Sequence, residues 1–115
     1  MKPLILWHNP RCSKSRQTLH LLQDRGYDPQ IRLYLTNPPT VAEIRAVQMA
    51  LGCRMIEMMR PKEALFKELG LAKDDDEETL AEAMAAHPKL IERPILIEGE
   101  HAAIGRPPEA VLKLL

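Results

Sequence analysis

The sequence predicts an α/β fold: a four-stranded mixed sheet flanked by helices, with a helical region inserted between its two halves. Three observations carry this. Two short, wholly apolar runs, Leu4-Ile5-Leu6-Trp7 and Ile95-Leu96-Ile97, have the length and burial pattern of interior strands. The segments between and around them order as strand-helix-strand, a helical middle, then strand-strand-helix. Finally, 115 residues make one domain, spanning 1–115, long enough to bury a core without staples.

Each element has its own signal. After Leu4-Ile5-Leu6-Trp7, Leu19 and Leu22 fall on one helical face and Gly26 stands where a left-handed cap ends the helix. Ile31, Leu33 and Leu35 alternate with Arg32 and Tyr34, a strand pattern, and a right-handed crossover makes this strand parallel to the first. Asn37-Pro38-Pro39 breaks it. Thr40-Val41-Ala42-Glu43 is a capping box, followed by the apolar face Ile44, Val47 and Leu51 and a stop at Gly52. Met55, Ile56, Met58 and Met59 read as packing residues. Pro61 stands at a first helical position, Leu65, Phe66 and Leu69 form the next stripe, and Gly70 ends it.

The acidic run Asp74-Asp75-Asp76-Glu77-Glu78 lacks the spacing of a calcium loop and is read as a solvated loop feeding a helix at its positive end. Leu80, Ala83 and Met84 are that helix's inward face, and His87-Pro88 closes it; His87 has no partner at zinc spacing. The insertion thus covers about 40–88. Ile95-Leu96-Ile97, the turn Glu98-Gly99-Glu100 and Ala102 to Ile104 form a hairpin. Pro107-Pro108-Glu109 opens a last helix that faces Val111, Leu114 and Leu115 inward. This order is the thioredoxin plan.

Composition narrows the function. Sixteen basic residues balance sixteen acidic ones, so no global field favours a nucleic-acid or membrane partner. No apolar run approaches bilayer length, and no charged-then-apolar leader opens the chain. Two cysteines, Cys12 and Cys53, are too few for a secreted disulfide scaffold, and a cytoplasmic location is expected. No metal site is expected.

The chemistry concentrates in His8-Asn9-Pro10-Arg11-Cys12-Ser13-Lys14-Ser15-Arg16. The loop joins a strand to a helix start, where free amide hydrogens stabilise negative charge. A thiol placed there ionises readily, and thiolate is the reactive form. Arg11, Lys14 and Arg16 are expected to push the same way. The spacing Cys12-x-x-Ser15 resembles a thioredoxin-type Cys-x-x-Cys with the resolving thiol replaced. Cys12 is therefore read as an activated nucleophile, and Cys53 as structural.

Arg60, Arg93 and Arg106 each precede a proline. Arginine grips tetrahedral oxyanions through planar, bidentate contacts and stays charged at any working pH. Pro94, at the start of a strand, is expected to be cis, which would bring Arg93 near Cys12.

Taken in order, these residues resemble a known family. The cysteine loop, Tyr34-Leu35-Thr36-Asn37-Pro38-Pro39, Arg60, Leu69-Gly70-Leu71-Ala72, His87-Pro88-Lys89-Leu90, Glu92-Arg93-Pro94-Ile95 and Gly105-Arg106-Pro107 are similar to the glutaredoxin-dependent arsenate reductases of the ArsC type. The likeness is nearest to the YfgD-type bacterial members. The resemblance implies that Cys12 attacks arsenate, that Arg60, Arg93 and Arg106 bind the oxyanion and its adduct, and that His8 and Ser15 support the thiolate. It further implies glutathione as co-substrate, glutaredoxin as reducing partner, and no bound cofactor. The loop is more basic than in the well-known enzymes and lacks their glycine after the cysteine. Two alternatives share the fold: an Spx-type regulator that contacts RNA polymerase, and a glutathione-linked thiol oxidoreductase with another substrate. Spx proteins usually carry a Cys-x-x-Cys switch; Ser15 and the three arginines favour the enzyme.

Overall fold

The strand Leu4–Trp7 (β1) alternates its side chains between two apolar layers, and the rest of the chain is arranged to cover both. The structure is a computed structural model describing residues 3–115; Met1 and Lys2 of the expected 1–115 domain lie outside the described residues. β1 runs parallel to β2 (Gln30–Arg32) and antiparallel to β3 (Ile95–Glu98), which pairs antiparallel with β4 (His101–Ile104). The sheet order is β2-β1-β3-β4, the four-stranded mixed sheet read from the sequence.

Leu4, Leu6, Leu96 and Ala103 face one layer with Leu22 of α1 (Ser13–Asp24) and Val111 of the C-terminal segment. Trp7, Ile95 and Ala102 face the other, beneath α2 (Val41–Leu51), α3 (Ala64–Glu68) and α4 (Glu77–Ala86). Met55, Ile56, Met58 and Met59 are buried there, as packing residues should be. The capping box forms as read: Thr40 Oγ1 accepts from Glu43 N–H at 3.1 Å, and the Glu43 carboxylate accepts from Thr40 N–H at 3.0 Å. Gly52 ends α2 at φ 67°, and the Asp76 carboxylate caps α4 by accepting from Thr79 N–H at 2.7 Å.

Four expectations need correction. First, β2 stops at Arg32, because Thr36 N–H and Asn37 N–H turn back onto the Leu33 carbonyl at 3.1 and 2.8 Å. The alternation is inverted as well. Tyr34 is fully buried, while Ile31, Leu33 and Leu35 are 44%, 43% and 40% exposed. Arg32 anchors this arrangement: it donates to the Asn37 and Pro38 carbonyls and to the Glu43 carboxylate, with its guanidinium 6.0 Å from the Trp7 ring centroid. Second, Pro61 does not open a helix; Glu63 N–H closes a turn onto the Arg60 carbonyl, and α3 starts at Ala64. Third, Leu69 caps α3 and is 41% exposed, so Phe66 alone of that stripe is buried. Fourth, the final helix is a run of 3-10 turns, Pro108–Leu114, closed by bonds three residues apart: Ala110 N–H to the Pro107 carbonyl at 2.9 Å and Leu115 N–H to the Leu112 carbonyl at 3.1 Å.

Candidate active site

One edge of the sheet collects the chemistry, and strand register explains how. β1 and β2 are parallel, so the chain leaves both at the same edge: the His8–Cys12 loop after β1, the Tyr34 turn after β2. Trp7 pairs with Ile95, so Arg93 and Pro94 precede β3 at that edge too. Ile95 pairs with Ile104, and Gly105 and Arg106 follow β4 there. Ligands of open α/β sheets sit at the carboxyl ends of parallel strands.

Cys12 is the N-cap residue of α1. Its carbonyl accepts the first helical bond, from Arg16 N–H at 3.0 Å, which leaves the N–H groups of Ser13, Lys14 and Ser15 without intrahelical partners. Burial pushes the Cys12 thiol up, but the Ser15 and Lys14 N–H groups and the Arg93 guanidinium outweigh it, and the thiol is held below its ordinary value. Arg106 Nη2 donates to Cys12 Sγ across 3.6 Å. The expected cations act differently from the sequence reading. Lys14 contributes its backbone, and the Arg16 side chain donates to the Pro10 carbonyl at 2.8 Å.

His8 and Ser15 are both buried beside the loop. His8 Nδ1 and Ser15 Oγ are 2.6 Å apart, and Ser15 Oγ also accepts from Asn9 N–H at 3.0 Å. The Ser15 hydroxyl therefore braces the loop while its backbone N–H faces the sulfur. Burial and the Arg16 cation lower the His8 pKa and so favour the neutral imidazole.

Two of the three arginines are brought to the thiol. Arg93 and Arg106 both reach Cys12, and Arg106 Nε also donates to the Arg93 carbonyl at 2.8 Å and pairs with the Glu92 carboxylate at 2.9 Å. The Arg93–Pro94 peptide is cis, as expected; the Arg106–Pro107 peptide is cis as well. Arg60 is tied to the Arg93 segment through the backbone: its N–H donates to the Leu90 carbonyl at 2.8 Å, and Met59 bridges Ile91. Its nearest acidic neighbour is Glu63 at 3.9 Å. Arg60 Nη1 and Arg93 Nε are buried without a hydrogen-bond partner, donors that await an acceptor.

Sequence reasoning missed three residues here. Gly105 lets α1 and Pro94 close on each other: a Cβ there would lie 2.6 Å from Thr18 Oγ1 and 2.8 Å from Pro94 Cγ. Glu92 orients Arg106. Tyr34 lies buried with a partnerless hydroxyl on which the charges of Arg93, Cys12, Glu92 and Arg106 all bear. Its alternation with aliphatic residues hid it, since the wrong set was read as inward. Among the described residues, no helix is long and apolar enough to cross a membrane.

Comparison with known proteins places this arrangement. The ArsC family model matches residues 7–114. YfgD of Escherichia coli K12, an uncharacterised protein, is 48% identical over 116 residues, covering 99% of this chain and 98% of that one. A Haemophilus influenzae protein named arsenate reductase is 46% identical over 114 residues, covering 97% and 98%. The solved structure of an arsenate reductase from Vibrio cholerae superposes with a TM-score of 0.95 at 46% identity, over 99% of this chain and 98% of that one. By sequence and by fold, the chain belongs to the ArsC family.

Proposed function

We propose that this protein is an oxidoreductase that reduces arsenate to arsenite, with Cys12 as the nucleophile. The observation that carries the reading is a thiol at the free N-terminus of α1, acidified by Lys14 and Ser15 N–H and by Arg93, with Arg106 Nη2 3.6 Å from its sulfur. Thiolate and anion-binding donors occupy one spot, as attack on an oxyanion requires. The relatives named arsenate reductase support the choice of oxyanion.

In this scheme Arg60, Arg93 and Arg106 bind the arsenate oxygens and offset the repulsion between thiolate and anion. The Cys12 sulfur attacks arsenic(V), and one arsenate oxygen leaves as water. Glutathione, the co-substrate, attacks this adduct. A disulfide forms between Cys12 and glutathione, its two sulfurs having given two electrons to arsenic, which leaves as arsenite(III). Glutaredoxin then reduces the mixed disulfide and restores the thiol. His8 and Ser15 hold the loop that presents the thiolate. No bound cofactor or metal enters the scheme; the electrons come from Cys12 and glutathione.

The test is arsenate-dependent NADPH oxidation coupled through glutathione, glutaredoxin and glutathione reductase, with wild type and Cys12→Ser run together. Turnover that the variant loses is the expected result. A reactive, acidified Cys12 without arsenate turnover would move the site to another substrate. An unreactive thiol would overturn the catalytic reading altogether.

A further inference from the structure

We infer that the Tyr34 hydroxyl is a substrate-binding donor, a neutral fourth contact to the oxyanion beside Arg60, Arg93 and Arg106. The inference rests on the oxyanion reading above and extends it to a residue placed by the fold.

Four observations lead there. Tyr34 is 0% exposed, yet its hydroxyl has no hydrogen-bond partner. Buried hydroxyls are almost always paired, and an unpaired one destabilises the fold that holds it. Phenylalanine would fill the same apolar cluster, which includes Trp7, Met59, Ile91 and Ile95, without that cost. Packing therefore does not account for the oxygen.

Position is the second observation. Tyr34 lies two residues past the end of β2, and the carbonyl of Arg32, the last residue of that strand, accepts from His8 N–H at 2.9 Å, so the tyrosine turn and the cysteine loop leave the sheet side by side. Third, the other buried side-chain groups left without partners, among the described residues, are Arg60 Nη1 and Arg93 Nε. Both guanidinium groups are pure donors, and both are among the arginines proposed above to bind the oxyanion. Three buried donors are left without an acceptor, and a tetrahedral oxyanion is a cluster of acceptor oxygens.

Fourth, the hydroxyl remains a donor. Burial holds its proton far above the ordinary tyrosine value; the Cys12 thiolate and Glu92 add to this, while Arg93 and Arg106 oppose it. A neutral donor contributes a hydrogen bond without increasing the site's positive charge. It also leaves the thiolate's own stabilisation to Arg93 and the helix N–H groups.

The experiment uses the whole protein, Tyr34→Phe, and inorganic sulfate as an unreactive tetrahedral probe. Sulfate binding is read as protection of Cys12 from iodoacetamide. Thermal melting without anion and the pH profile of Cys12 alkylation are measured alongside, with Arg93→Ala as the control that disables the anion site. The expected result is a sulfate affinity lower by about tenfold or more in Tyr34→Phe. Melting temperature should be unchanged or higher, the thiol's pH profile unchanged, and arsenate KM should rise more than kcat falls. Unchanged sulfate protection in Tyr34→Phe, with protection lost in Arg93→Ala, would overturn this inference and keep the oxyanion site. A thiol profile shifted to higher pH with unchanged sulfate binding would also overturn it, assigning the hydroxyl to the thiolate. Absence of protection by both sulfate and arsenate in the wild type would overturn the oxyanion reading, and this inference with it.

Discussion

Cys12 and Cys53 carry the same atom at similar partial exposure, yet the protein drives them in opposite directions. Cys12 caps the N-terminus of α1, where unpaired N–H groups point at its sulfur. Cys53 follows Gly52, the left-handed residue that ends α2, and so stands at a helix C-terminus, the negative end. Burial raises the Cys53 thiol, and the Glu57 and Glu77 carboxylates raise it further. Cys12 has arginines where Cys53 has glutamates. The contrast teaches that the ends of helices and the sign of nearby charge, more than exposure, decide which thiol can work.

The largest effect expected from this comparison is in the cysteines themselves. Cys12→Ser should reduce arsenate turnover by at least about a thousandfold, because no other nucleophile replaces the sulfur. Cys53→Ser should leave turnover within about twofold of wild type. The pH dependence follows from the two shifts. A lowered pKa gives more thiolate at any pH below it, so Cys12 should be alkylated first at about neutral pH, and Cys53 only as pH rises past the ordinary thiol range. Mass spectrometry of partially alkylated protein would reveal the order, and labelling of Cys53 first would reverse the comparison.

Next in size is Arg93→Ala. It removes a guanidinium that acidifies Cys12 and one of the proposed oxyanion donors. Loss of a charge-assisted hydrogen bond should lower kcat/KM for arsenate by roughly 10- to 100-fold and shift Cys12 alkylation to higher pH. A variant with normal alkylation and normal kcat/KM would show that the helix N-terminus suffices alone.

Ser15→Ala separates the two ways one residue serves the site. Its backbone N–H acts on the sulfur and survives the substitution; its hydroxyl, wholly buried, serves His8 Nδ1 and Asn9 N–H. The variant should therefore lose about 1–3 kcal/mol of stability in denaturant unfolding, from buried groups left unpaired. The alkylation profile of Cys12 should change little. A large shift of that profile with full stability would instead place the hydroxyl on the thiolate.

Much of this site was legible in the chain because its signals are local. A strand-to-helix cysteine, a capping box at Thr40 and two apolar runs each depend on a few neighbours. The inversion of Tyr34 was not legible, since Arg32 looks like a solvent residue until Glu43, Pro38 and the Trp7 ring claim it. Nor could spacing show that the guanidinium of Arg93, far along the chain, acts on the thiol ahead of the nearby Lys14 N–H. That order is set by the register of β1 on β3, which brings Ile95 beside Trp7. The packing role of Gly105 was hidden for the same reason: its constraint comes from Thr18 and Pro94, neither of them near in sequence.

The smallest effect sharpens the comparison from the inert side. Glu77 Oε2 accepts from Met55 N–H at 3.0 Å, and its charge is among those that keep the Cys53 thiol protonated. Glu77→Gln keeps an acceptor oxygen for Met55 and removes the charge. Cys53 should then ionise more easily, and its alkylation at fixed alkaline pH should quicken by about threefold or less, the size of a single charge acting through a wet, screened surface. Burial is the first cause of the Cys53 shift and is untouched, so the thiol should remain slower than Cys12. Alkylation rates of the two cysteines in this variant would measure how far charge alone separates them. If Cys53 reached the rate of Cys12, the glutamates would outweigh burial, and the helix N-terminus at Cys12 would lose its place as the deciding difference.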